Sequence, residues 1–241
     1  NEIKFLVNSW LIAGILSVTS ISTTLGAFGV IVDDKVKKID KDFRCSPISR
    51  SSIAGGYILN SFLIGVIMSV IAFAVGEIFI VASGGELLPF ESILKVLGMI
   101  LLTVLSASSM MFFVVSFFNS TNAYATASTI IGTLIGFITG MYLPVGSMPE
   151  GVATVVKLFP ISHAASIFRK IFMDVPFEQT FEGVPKEVAD TAVNTLRQDL
   201  GVDFTIGTWD VSILDSILIL IASAILFYIL GIIVISRKRK V

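Results

Sequence analysis

Five apolar runs dominate the chain, at residues 5–32, 53–82, 96–118, 124–143 and 211–235. Each reaches the ~20 residues that a helix rising about 1.5 Å per residue needs to cross a bilayer core of roughly 30 Å. Each also stops at a polar or helix-breaking residue: Asp33-Asp34, Gly84-Gly85, Asn119, Pro144 and Arg237. Backbone polar groups in lipid must pair within their own segment, so the pattern predicts helices. A transmembrane barrel would instead alternate apolar and polar positions over segments of about ten residues, and no such alternation is visible. The predicted fold is an all-α integral membrane protein with five transmembrane helices.

The interval between the fourth and fifth runs has a different pattern. From Leu143 to Met173 the apolar pieces are too short to span, and Pro144, Pro149 and Pro160 cut them into two short helices. Pieces of this length suit re-entrant or interfacial segments. Lys157, His163, Arg169 and Lys170 argue against a lipid-facing core position. Residues 144–173 are therefore expected to form a re-entrant helical hairpin dipping into the outer leaflet. His163 could serve as a proton or substrate site, but a lone interfacial histidine is more often a hydrogen-bonded structural residue. From Asp174 to Asp210 the chain is polar and acidic. Pro185 opens an expected helix with Val188, Ala192, Leu196 and Leu200 along one face, and Gly201 as its end signal. Residues 174–210 would form a small extracellular segment.

Composition narrows the class. Of 241 residues, 54% are hydrophobic and only 15% charged, where a soluble domain carries about 25%. Mean hydropathy is +0.91. A water-facing globule and a disordered chain are both excluded. A net charge of −1 leaves no basic excess for nucleic acid. Cys45 and His163 stand alone as their residue types, which rules out an internal disulfide and a Cys- or His-rich metal site.

Charge asymmetry orients the helices. The 33–50 loop carries six basic residues and the Arg237-Lys238-Arg239-Lys240 tail carries four. The interval from Glu150 to Asp210 carries nine acids. Basic loops remain in the cytoplasm, so the 33–50 loop and the C-terminus are expected inside. Five spans then place Asn1 outside, and at least one further span is expected upstream of it; a processed N-terminus is the alternative.

Several features are candidates for function. Val36, Ile39 and Phe43 have the spacing of one face of a short helix, and Ser46-Pro47-Ile48-Ser49-Arg50 turns the chain back toward the membrane. Such a segment can rest on lipid headgroups, dock on a partner protein, or be a solvated basic loop. Gly132, Gly136 and Gly140, with Ser128 one turn earlier, form a small-residue stripe suited to close helix packing, within one subunit or between two. The first helix is rich in hydroxyls, at Ser17, Thr19, Ser20, Ser22, Thr23 and Thr24, and the third carries Thr103, Ser106, Ser108 and Ser109. These can line a polar path or make ordinary interhelical hydrogen bonds. Glu77 sits near the outer end of the second helix, where an interfacial role fits better than an intramembrane one. Asn119-Ser120-Thr121 matches a glycosylation sequon but falls on the cytoplasmic side in this orientation. The chain has no P-loop, no His-Glu-x-x-His and no Gly-x-Ser-x-Gly.

The order of these features resembles the permease subunit of ABC-2 type transporters, a group of ABC exporters. The resemblance rests on four of them: the charged loop into Ser46-Pro47-Ile48-Ser49-Arg50, the hydroxyl-rich helix before it, the Leu143-Pro144…Met148-Pro149 break after a glycine-rich helix, and Phe159-Pro160-Ile161-Ser162-His163…Arg169 ahead of one last helix and a basic tail. It implies that the five helices are the second to sixth of a six-helix permease. It further implies a multi-pass protein of a plasma membrane, of bacterial type, serving as a transport subunit and not an enzyme. Two ABC ATPase copies, which bind ATP and Mg, would pair with two permease subunits, expected as a homodimer; this chain would hold no cofactor itself. By the same resemblance Val36, Ile39, Phe43, Pro47 and Arg50 would couple to the ATPase. Ser17, Ser20, Thr24, Ser128, Gly132 and Gly136 would line the path for a drug, lipid, peptide or glycan-type substrate. Pro149, Pro160, His163 and Arg169 would build the hairpin. The rival readings are a non-ABC secondary transporter, which would need ionisable residues near the midplane, a membrane-bound enzyme, and a membrane sensor or assembly subunit.

Overall fold

The computed structural model describes residues 2–39 and 47–237. Helix α1 (Glu2–Ala27) is separated at Phe28 from the short α2 (Gly29–Val36). It is followed by α3 (Arg50–Ala82), α4 (Phe90–Val115) and α5 (Thr121–Ile138). Beyond a 3-10 turn at Val145–Ser147 come α6 (Glu150–Leu158), α7 (Pro160–Thr180) and α8 (Lys186–Asp199). A minimal antiparallel pair, β1 (Thr205–Ile206) and β2 (Trp209–Asp210), leads into α9 (Ile213–Arg237).

Four of the described helical segments are long and apolar enough to cross a membrane: Glu2–Val36, Ser51–Ala82, Phe90–Val115 and Ile213–Ile235. Helices α6 and α7 meet at an 88° bend, the geometry of a broken span or re-entrant loop, and make a fifth crossing if counted together. The protein is thus an all-α multi-pass membrane protein. The bend follows from Pro160 at the first position of α7, behind Phe159 in extended conformation.

The apolar run at 124–143 folds differently from its length. Helix α5 has only 18 residues, about 27 Å of helix, and does not belong to the four long apolar segments. It ends early because Gly140 takes a left-handed conformation, φ 66°. The Gly140 N–H then donates to Phe137 O and the Met141 N–H to Gly136 O, at 3.0 and 2.9 Å, closing the helix in a Schellman motif.

The core lies in two layers. One joins α1, α3, α4 and α7 around Leu16, Phe73, Ile100, Phe168 and Phe172. The other joins α1–α5 and α7 around Ile21, Phe28, Met111, Phe112 and Ile161. Small hydroxyl residues lie between these helices. Ser20 Oγ is 3.2 Å from Ser69 Oγ, and Ser106 Oγ is 2.7 Å from Ser223 Oγ. Side chains this small permit close backbone approach in lipid. The layer around Phe28 and Phe112 lies toward the end of the bundle that carries Asp33–Ile39 and the C-terminal half of α9, here the basic end. The opposite end carries α6, α8 and the β-pair, here the cap.

Candidate functional site

At the basic end three chain segments converge. Lys35 Nζ donates to the carbonyls of Ser116 and Phe118, at 3.3 and 3.0 Å, where a cation meets the negative end of α4. Tyr57 Oη donates to Asp34 at 2.6 Å, and Thr121 Oγ1 donates to Asp33 at 3.5 Å. The start of the basic loop is therefore tied to α3 and to the α4–α5 connection. Val36 and Ile39 are both exposed. They do not share one helix face, however: Lys38 between them adopts φ 64°, which breaks the helix and the spacing read from the sequence. Pro47 is exposed and Ser49 caps α3, its Oγ accepting from the Ser52 N–H at 3.1 Å. Phe43 lies outside the described residues, and of Arg50 only its place at the start of α3 is described.

The hydroxyls assigned to a path fall in two environments. Ser17, Ser20 and Thr24 are fully buried in the bundle. Ser20 bonds back to Leu16 O at 2.9 Å and Thr24 to Ile21 O at 2.8 Å. In this arrangement they face the bundle interior, not an open surface, because hydroxyls spaced three and four residues apart follow the buried stripe of α1. On the same helix Ser22 is exposed and Thr19 and Thr23 are half-buried. Ser128 and Gly132 on α5 are half-buried and Gly136 is buried.

The open polar face belongs to α5. It packs along one side against α1 and α2, and Tyr124 Oη donates to Leu25 O. The other side exposes Thr126, Thr129 and Thr133 among Ile130, Leu134 and Phe137. Each of the three threonines bonds its hydroxyl to the carbonyl four residues earlier, at 3.0 Å. The site residues named from sequence did not include them. Their i, i+3, i+7 spacing was the signal that would have found them.

The glycine stripe performs three separate tasks. Gly140 closes α5. A Cβ on Gly136 would collide with the ring of Tyr142, and one on Gly132 would meet nothing within 4 Å. Among the described residues, a Cβ on Gly132 or Gly136 would meet no second helix, while Gly140 lies against Arg169 of α7.

Arg169 organises the hairpin. It is fully buried. Its Nη2 donates to Thr139 O and Gly140 O at 2.9 and 2.8 Å, and its Nη1 to Gly201 O at 3.4 Å. Its guanidinium lies 5.3 Å from the Trp10 ring centroid. The carbonyls come from the C-terminal ends of α5 and α8, so two negative helix ends converge on one cation. Gly201 has φ 69°, and its Schellman turn aims that carbonyl inward. The Nε has no hydrogen-bond partner among the described residues.

His163 is buried as well, with Nδ1 3.3 Å from Ser216 Oγ and its ring edge-on to Phe204. Pro149 caps α6 and is exposed. Glu77 is buried, and its carboxylate accepts from the Leu88 N–H at 3.0 Å, holding the α3–α4 connection.

In the cap, Ala192, Val193 and Leu196 of α8 and Leu200 just past its end turn inward, while Val188, expected on that face, is exposed. Trp10 Nε1 donates to Leu200 O at 2.9 Å. Asp203, which the sequence did not single out, bridges Lys170 at 3.0 Å and Arg197 at 2.6 Å. Burial alone would raise its carboxyl, but hydrogen bonds from Arg197 and Lys170 and their charges outweigh burial and hold it below the ordinary value. A lowered folded-state value stabilises the fold above the unfolded carboxyl range, and that contribution fades as pH falls below about 4. The wild type is therefore expected to lose more thermal stability than Asp203→Asn between pH 6 and roughly pH 3, measured by differential scanning fluorimetry in detergent; parallel losses would contradict this assignment.

The chain belongs to the ABC-2 family of transporters: the model of the ABC-2 family transporter protein matches residues 3–233. It is a permease component of ABC-type transport, and permeases of this family work with an ABC ATPase partner. No curated protein matches the chain.

Proposed function

We propose that this permease forms half of the translocation path of an ATP-driven exporter, and that the path runs between two copies of the chain along the open face of α5. The observation that carries this reading is the row Thr126, Thr129 and Thr133, exposed on a helix that buries only Ile135 and Gly136. With their hydroxyls bonded within the helix these threonines are tolerated in lipid, and a row of small polar side chains also suits a neighbouring subunit or an aqueous passage. Exposed Ser22 on α1 extends the same hydroxyl chemistry, and such a wall would accept a drug, lipid, peptide or glycan-type substrate.

The basic end is cytoplasmic in this reading, by the excess of Lys and Arg there. Two ATPase subunits holding ATP and Mg dock on it, against Val36, Ile39, Phe43, Pro47, Arg50 and the adjoining 116–121 connection. Nucleotide binding moves this end, and Lys35 and Asp33 pass the movement to α4 and α5. A partner shifts such an equilibrium only through contacts that differ between the two states. Residues 144–173 dip into the outer leaflet, and residues 174–210 cap the exterior.

Replacing Val36, Ile39 and Phe43 together by aspartate is expected to abolish co-purification of a P-loop ATPase in mild detergent while membrane insertion persists. Retention of the ATPase at the wild-type level would refute the coupling assignment. A Thr129→Cys variant is expected to form a disulfide-linked dimer on mild oxidation. A purely monomeric product would remove the shared path.

A further inference from the structure

A lateral groove of about 650 Å³ lies between α4, α7 and the start of α9. That volume falls within the range of ordinary ligand sites, roughly 300–1,000 Å³. The groove is graded along its length. Ser92, Lys95, Asp174 and Arg197 stand at its mouth, and Lys170 lies just below. Met99, Leu102, Ile171 and Ile217 line its deeper part. From Ser92 to Leu102 the helix descends about 15 Å, the distance from the headgroup zone into hydrocarbon. The surface on either side is lipid-facing in character, with Leu94, Leu101, Leu214 and Leu218 all exposed.

The charges at the mouth are mixed. Lys170 and Arg197 share Asp203 between them, at 3.0 and 2.6 Å, and Lys95 pairs with Glu91 at 2.7 Å. Asp174 adds a further carboxylate to the wall. Three cations thus stand beside three acids. A purely anionic headgroup would meet the cations but also face Asp174. A headgroup bearing both signs complements the mouth better, with phosphate oxygens on Lys and Arg and an ammonium on the carboxylate.

We propose that this groove seats one zwitterionic phospholipid of the phosphatidylethanolamine class: its phosphate among Lys95, Lys170 and Arg197, its ammonium on Asp174, and one acyl chain along Met99, Leu102, Ile171 and Ile217. The lipid fills the space between the second arm of the hairpin and the two membrane helices beside it. The inference needs only that the chain sits in a bilayer, and its test is independent of the exported substrate and of the ATPase.

Gly98 supplies a clean perturbation. It lies on the groove wall, and a Cβ placed there meets nothing within 4 Å. Gly98→Phe should therefore occupy the groove without displacing backbone. The full chain, purified in detergent, is delipidated and offered dioleoylphosphatidylethanolamine or dioleoylphosphatidylglycerol, and bound lipid is counted by native mass spectrometry. Wild type is expected to retain one phosphatidylethanolamine at least about fivefold better than phosphatidylglycerol. Gly98→Phe is expected to lose that retention by about tenfold, and Asp174→Asn to lose the preference between the lipids. Equal retention of both lipids by the wild type would overturn the proposal, as would preference for phosphatidylglycerol or undiminished retention by Gly98→Phe. Should Gly98→Phe not fold, Lys95→Glu at an exposed position carries the same readout, with an expected loss of about fivefold; undiminished retention there overturns the proposal equally.

Discussion

Arg169→Met is expected to unfold the hairpin end of the bundle at a temperature on the order of 10 °C below the wild type. The substitution keeps volume and apolar stem but removes the donors. Carbonyls of Thr139, Gly140 and Gly201 then lose their partner in a fully buried site. Each buried polar group left unsatisfied costs about 1–3 kcal/mol, and three such carbonyls are left here. The effect reaches beyond α7, because the three carbonyls belong to the end of α5 and to the turn after α8. Arg169→Lys retains the charge, yet an ammonium cannot reproduce the fork that serves two helix ends at once. It should fall between wild type and Arg169→Met. Fluorescence-monitored melting, with Trp10 as a local reporter beside the guanidinium, measures the difference. Equal melting temperatures for wild type and Arg169→Met would show that this cation does not hold the three elements together.

Gly140→Ala and Gly132→Ala are expected to change stability in opposite directions, although they sit in the same stripe. Gly140 has φ 66°, and its added Cβ would lie 3.0 Å from Val145 Cγ2 and 3.4 Å from Arg169 Nη1. Left-handed backbone costs a residue with a Cβ about 1–2 kcal/mol, and crowding of the guanidinium adds to that. Gly132 is an ordinary helical residue whose added Cβ meets nothing. Alanine there should gain roughly 0.5–1 kcal/mol by lowering the backbone entropy lost on folding. Melting curves of the two variants in one detergent settle the comparison. A stabilised Gly140→Ala would contradict the turn geometry described above.

These two residues show why part of the site was legible in the sequence and part was not. Spacing alone made Gly132, Gly136 and Gly140 look like one packing surface. Folded, they serve as an open position, a niche for Tyr142 and a helix stop. The hydroxyls of α1 behaved similarly. Their number signalled a polar face, but the burial of Ser17, Ser20 and Thr24 depended on where α3 and α4 pack. Arg169 was visible as a charge in an apolar stretch, and that a charge there needs company was a sound inference. Its company, three main-chain carbonyls, carries no side-chain signature.

By itself the sequence determined the class: long apolar runs with polar stops demand helices in a bilayer, since unpaired backbone groups are intolerable there. It also determined the bent pair, because Pro160 cannot continue the helix before it, and the end of α8 at Gly201. Only the tertiary structure decided which polar residues are buried and which stand open. It brought Asp33 and Lys35 to the α4–α5 connection, and gathered two helix ends around one arginine. The physical reason is one of range. Helix formation and termination depend on neighbours within a turn or two. Burial and charge compensation depend on contacts between residues far apart in the chain, whose partners no local pattern records.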